Sequence, residues 1–177
     1  MIRITKALAL ILALAQEPSA VFEGKNTLIR PEGYREWIFV GSSLGLSYAQ
    51  DPAQARNSQV YHNTYIIPWA YREFAKTGKF PEGTMMVLEL ANAEVKSEPG
   101  LQGSYEKDYI ALEVSVKDSA RFDGGWGYFN FTEKPGVLKA KADPFPKNVC
   151  WSCHDQKAAT DHVFTQFYPV LNSLQRR

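Results

Sequence analysis

Cys150, Cys153 and His154 fall within the stretch "CWSCHDQK", and no other short segment of this 177-residue chain concentrates as much reactive chemistry. Three kinds of site use such residues. A structural zinc ion wants four ligands, but the motif offers three, and no second Cys or His pair stands at finger spacing. A redox dithiol belongs at a strand-to-helix turn in a βαβ pattern, whereas this pair follows the proline-rich "KADPFPKN" and leaves the adjacent histidine without a role. Covalent attachment of one haem c accounts for all five positions. Each thiol adds to a vinyl group, and one helical turn presents His154 to the iron as its proximal ligand.

A haem with two protein ligands carries electrons, and one with an open face takes a small molecule. The residues that could fill the sixth position are His62, His162, Met85, Met86 and nearby lysines. His162 is too close in sequence to His154 to reach the other face of the ring. Met85 and Met86 lie in an apolar strand, where methionine usually packs. His62, between Tyr61 and Asn63, reads either as a structural histidine or as a polar group in the distal pocket. None is compelling as an axial ligand, so an open distal side is expected.

The chain opens "MIRITKALALILALAQEPSA", with Arg3 and Lys6 ahead of an apolar run and Ala13-Leu14-Ala15 as a small-x-small cleavage signal. This reads as a secretory signal peptide over residues 1–15, too short to anchor in a membrane, followed by a single domain over 16–177. Its removal leaves eighteen basic against nineteen acidic residues. That balance gives no basic stripe for nucleic acid, and a periplasmic protein with no membrane anchor is expected. Export suits the haem reading, because c-type haem is attached outside the cytoplasm.

The elements that must position the motif are legible in part. "EGYREWIFVGS" reads as a helical turn feeding a strand through Val40, and "QVYHNTYIIP" as a strand over Val60–Ile67. Pro68 suits the first position of a helix that ends at Gly78. "TMMVLELANAEV" is apolar on both faces from Thr84 to Leu90. In "DYIALEVSVKD", Ile110, Leu112, Val114 and Val116 share one face and Tyr109, Ala111, Glu113 and Ser115 the other. "GGWGYFNF" supplies a strand over Trp126–Phe131, and "SEPGLQGSYEKD" reads as polar turn or interface. After the motif, Val163, Phe164, Phe167, Val170, Leu171 and Leu174 recur at helical spacing, with Thr160 as N-cap and Pro169 kinking the helix. The expected fold class is α+β: an antiparallel sheet packed by a few helices, with a C-terminal helical segment for haem attachment.

"YREWIFVGS", "KTGKFPEGTMMVLEL", "ALEVSVKDSARF", "WGYFNF" and "CWSCHDQKAATDHVFTQFYPVL", in that order, resemble the cytochrome P-460 family over nearly all of the chain beyond residue 15. The resemblance implies a periplasmic mono-haem c protein with a mainly β fold, usually homodimeric. It implies one of two activities: oxidation of hydroxylamine with nitric oxide as co-substrate, or binding of nitric oxide or carbon monoxide. Cys150, Cys153 and His154 carry over as the attachment and ligand positions. The family's lysine that cross-links to the porphyrin falls at Leu88, which has no nucleophile. The distal carboxylate, a candidate proton relay, falls at Glu113, for which a solvent-facing position is the plainer reading. Met86 and Leu88 share a parity and would form an apolar distal wall, with Phe39 as an aromatic cap; ordinary core packing is the alternative for each.

Three functions follow as expectations. The first is a five-coordinate haem protein that captures a small diatomic such as nitric oxide. The second is an oxidoreductase acting on hydroxylamine or a related nitrogen compound. The third is an electron carrier serving a redox partner protein.

Overall fold

The computed structural model describes residues 17–47 and 59–175, so the leader expected over residues 1–15 lies outside the described residues. The β-rich stretches pair as antiparallel strands. β1 (Phe22–Glu23) and β2 (Thr27–Ile29) are followed by a 3-10 turn, Tyr34–Glu36, and β3 (Ile38–Leu44). β4 (Val60–Ile66) leads into helix α1 (Pro68–Thr77), which starts on its proline and stops where Gly78, at φ 70°, returns its N–H to Phe74. β5 (Met85–Glu98), β6 (Leu101–Lys117) and β7 (Trp126–Asn130) complete a five-stranded meander in which β3 to β7 pair in chain order. β8 (Thr132–Lys134) and β9 (Val137–Leu138) form a small hairpin, and β10 (Lys141–Ala142) pairs with β2 on the edge opposite β1. The motif then enters helix α2 (Trp151–Lys157), and the chain closes with a 3-10 turn, Thr165–Phe167, and helix α3 (Pro169–Asn172). The α+β class expected from the sequence is the observed one, with most of its weight in strands.

The main sheet is covered on both faces. On one, Val87, Val114 and Phe129 stand in register and Phe22 and Phe122 pack onto Phe129. The other face carries Met86, Leu88, Glu113 and Ser115 and is covered by the C-terminal segment. Gly41 permits the close approach at one edge: a Cβ there would lie 3.0 Å from Pro169 Cδ and 3.3 Å from the Phe167 carbonyl oxygen.

Two expectations are corrected. "SEPGLQGSYEKD" is no loop, because β5 and β6 run on together to Glu98 and Leu101 as a two-stranded ribbon. It is polar because both its faces meet solvent, and Lys107–Glu94 and Lys96–Glu98 ion pairs lie along it. The C-terminal residues do not form one kinked helix either. Asp161 and His162 adopt left-handed backbone at φ 43° and 60°, so Thr160–Val163 closes as a tight turn in place of an N-cap. Pro169, lacking an N–H, begins α3 where it was expected to bend a longer helix.

Candidate haem site

Cys150 stands at the N-cap of α2, and Cys153 and His154 follow three and four residues later. That spacing puts all three on one side of a single helical turn. The turn borders a cavity of about 370 Å³ between the main sheet and the C-terminal segment. Two cross-strand rows of the sheet border it, through Met86, Ser115 and Tyr128 in one and Thr64, Leu88 and Glu113 in the other. Ile66, Met86, Ser115 and Tyr128 are cross-strand partners, and so are Thr64, Leu88, Glu113 and Asn130, two residues further along and hence about 7 Å away. Tyr128 marks where the motif meets the sheet, its ring centroid 4.4 Å from that of His154. Phe164 holds the imidazole from another direction at 4.5 Å.

The decisive contact is a hydrogen bond. His154 Nδ1 lies 2.6 Å from the backbone carbonyl oxygen of His162. A carbonyl only accepts, so Nδ1 carries the proton and Nε2 keeps a free lone pair, the arrangement of a metal-ligating imidazole. Burial lowers the pKa of His154 and favours this neutral form. Among the described residues no group of three or more His, Cys, Asp or Glu side chains is placed to hold a metal ion by itself. Burial pushes the Cys150 thiol up to about 11, away from the reactive thiolate of a redox pair. One imidazole, two thiols and an apolar slot suit an iron whose remaining ligands come with a porphyrin.

The cytochrome P460 family model matches residues 31–165, which take in the cavity-facing parts of the sheet and the whole motif. The chain belongs to the cytochrome P460 family. It is accordingly a c-type haem cytochrome. No curated protein matches the chain.

Within this cytochrome P460 domain, Cys150 and Cys153 are the residues that would hold a haem through thioether links and His154 Nε2 the one that would meet its iron; when bound, the haem would supply a redox-active metal. The chain's own contribution is to fix the imidazole, exclude water with Met86, Leu88 and Phe164, and bring one carboxyl group to the wall. That group is Glu113, placed beside Leu88 and lining the cavity. Burial raises its pKa. The solvent-facing alternative is therefore not the observed position, because the C-terminal segment covers the polar face of β6.

Two other expected residues stand elsewhere. Phe39 pairs with Tyr65, which pairs with Val87, so it lies on the face away from the cavity, 47% exposed and packed on the Tyr65 ring at 5.5 Å. It caps nothing. The β-bulge between Phe39 and Gly41 breaks the alternation from which its face would be read. His62 is on the cavity-side face but pairs with Leu90, one row beyond Thr64, and it does not line the cavity. Burial lowers its pKa.

Sequence reasoning missed several contributors in this cytochrome P460 chain. Tyr128 was within reach, since alternation in "GGWGYFNF" sets it on the same face as Trp126. Thr64 and Tyr168 add hydroxyls to the wall. His162, considered for its ring, contributes its backbone; the ring lies against Trp151, 4.9 Å between centroids. No side-chain pattern announces a carbonyl.

Proposed function

We propose that this protein is exported to the periplasm, carries one haem c bound through Cys150 and Cys153 with His154 as its only protein ligand, and captures a small diatomic such as nitric oxide on the open face. The observation that carries this reading is the 2.6 Å contact of His154 Nδ1 with the His162 carbonyl oxygen, at a cavity whose next sheet row is Thr64, Leu88 and Glu113. Leu88 contributes hydrocarbon where an oxidase of the resembling kind would carry its cross-linking lysine. An apolar wall favours a weakly polar diatomic over water or an anion.

Electronic absorption and magnetic circular dichroism of the purified protein test it. High-spin iron in both oxidation states, with stoichiometric uptake of nitric oxide, is the expected result. Met86 lines the cavity and favours a second reading, an electron carrier; low-spin spectra in both states would establish that one instead. Sustained hydroxylamine turnover would mark an oxidoreductase using Glu113 as proton relay. Intact mass checks export and attachment together, the expected species starting at Gln16 and carrying one haem. A homodimer belongs to the same reading and draws support from the exposed Phe39, Tyr105 and Tyr109 on the protein surface; sedimentation of the holoprotein tests it.

The half-buried Glu113 gives a pH prediction. Its folded pKa is raised, so above the ordinary value of 4.5 the unfolded chain gives up a proton that the fold retains. The unfolding free energy therefore falls as pH rises through the shifted value. Glu113→Gln removes this dependence. Melting temperatures of parent and variant should converge below pH 4.5 and separate above it, with the variant higher. Parallel curves would show that the carboxyl group is solvated.

A further inference from the structure

The carbonyl that fixes His154 belongs to a residue in an unfavourable backbone state. His162 has φ 60° and Asp161 before it φ 43°, and neither is glycine. Left-handed backbone is disfavoured for a residue that carries a Cβ, so a turn with two in succession needs outside support. The support converges on the Asp161 carboxylate. Lys117 Nζ donates to its Oδ2 at 2.7 Å, and Trp126 Nε1 reaches its Oδ1 at 3.3 Å. Lys117 and Trp126 are themselves cross-strand partners at the end of β6 and β7, so the clamp is bolted to the rigid sheet. The ammonium makes a second bond, 2.8 Å to the Phe80 carbonyl oxygen. The two side chains are 17% and 34% exposed, which sets this pair apart from the chain's solvated ion pairs.

We propose that Asp161 is a positioning residue for the iron ligand: held by Lys117 and Trp126, it keeps the Thr160–Val163 turn in the one shape that delivers the His162 carbonyl to His154 Nδ1. The inference rests on the haem ligation proposed above. A firm Nδ1–H···O bond makes the imidazole a stronger donor. Loosening the turn weakens that bond and makes His154 a poorer donor to ferric iron, so the reduction potential rises. The chain thus sets its potential from a carboxylate that never touches the cofactor.

The test separates positioning from mere stability. Asp161→Gly deletes the carboxylate and at the same time relieves the backbone strain, so the fold should keep a melting temperature close to the parent's. Asp161→Asn keeps the tolerance for left-handed backbone and a partner for Trp126 while removing the charge facing Lys117. Both are read in the haem-loaded protein by the iron–histidine stretch in resonance Raman of the ferrous state and by the midpoint potential. The expected result is a lower stretching frequency and a more positive potential in both variants, larger in Asp161→Gly. A folded Asp161→Gly protein with stretch and potential unchanged overturns the inference and leaves the ligation intact. Absence of the stretch from the parent protein overturns the ligation, and this inference with it.

Discussion

Cys150→Ser/Cys153→Ser protein is expected to give up all of its haem to acidified acetone, where the parent gives up none. Both thiols lie on the same helical turn at the cavity edge, with His154 between Tyr128 and Phe164. Serine preserves their size and removes only the sulfur nucleophile. The single variants should hold the cofactor by one bond and shift the pyridine haemochrome band part of the way. The double variant keeps His154 and the apolar slot, so it is expected to bind haem reversibly, with a stability that depends on haem concentration. Extraction of haem from the parent would refute covalent attachment, whatever the variants do.

Gly124→Ala has the largest effect expected of a substitution outside the motif. Gly124 sits at φ +90°, and a Cβ there would fall 2.4 Å from Trp151 Nε1 and 2.5 Å from Cε2. The backbone term is about 1–3 kcal/mol. Overpacking adds another ~1–3 kcal/mol. Displacing the indole also breaks its 3.0 Å bond to the Gly124 carbonyl oxygen. Against a domain stability of about 5–15 kcal/mol, this removes a large share of the stability and strains the docking of α2 on the sheet. Gly125→Ala is the control, since φ is also positive, +82°, but the nearest contact is an ordinary 3.4 Å to Ser119 Oγ. Urea midpoints should rank the parent first, then Gly125→Ala, then Gly124→Ala. Combining Gly124→Ala with Trp151→Leu should restore the steric part but not the backbone part. Equal losses at the two glycines would remove the role given to Trp151.

Which parts of this were legible in the sequence follows from the range of the forces involved. The motif, the helix begun by Pro68 and ended by Gly78, and the buried strands around Val87 and Val114 are written in local chemistry and period. The ribbon between Ala93 and Asp108 was hidden because alternation shows only where one face is buried, and there neither is. Phe39 was misplaced because its face relative to Leu88 depends on register across β4, and a bulge intervenes. Glu113 was assigned the correct side of β6, but what covers that side arrives forty residues later. The clamp on Asp161 was invisible for the same reason, since Lys117 is far away in sequence and the atom it serves belongs to the backbone.

Helix α2 has only seven residues, and none of them is fully buried. A segment of that length is marginal as a helix by itself, so it takes its order from Trp151, from the His162 carbonyl and from whatever occupies the neighbouring space. The meander, by contrast, closes through pairings between sequence neighbours, which form early and cheaply. The strand pairings of the meander do not involve α2, so the sheet holds its order through contacts that the sulfur-bearing tail does not supply.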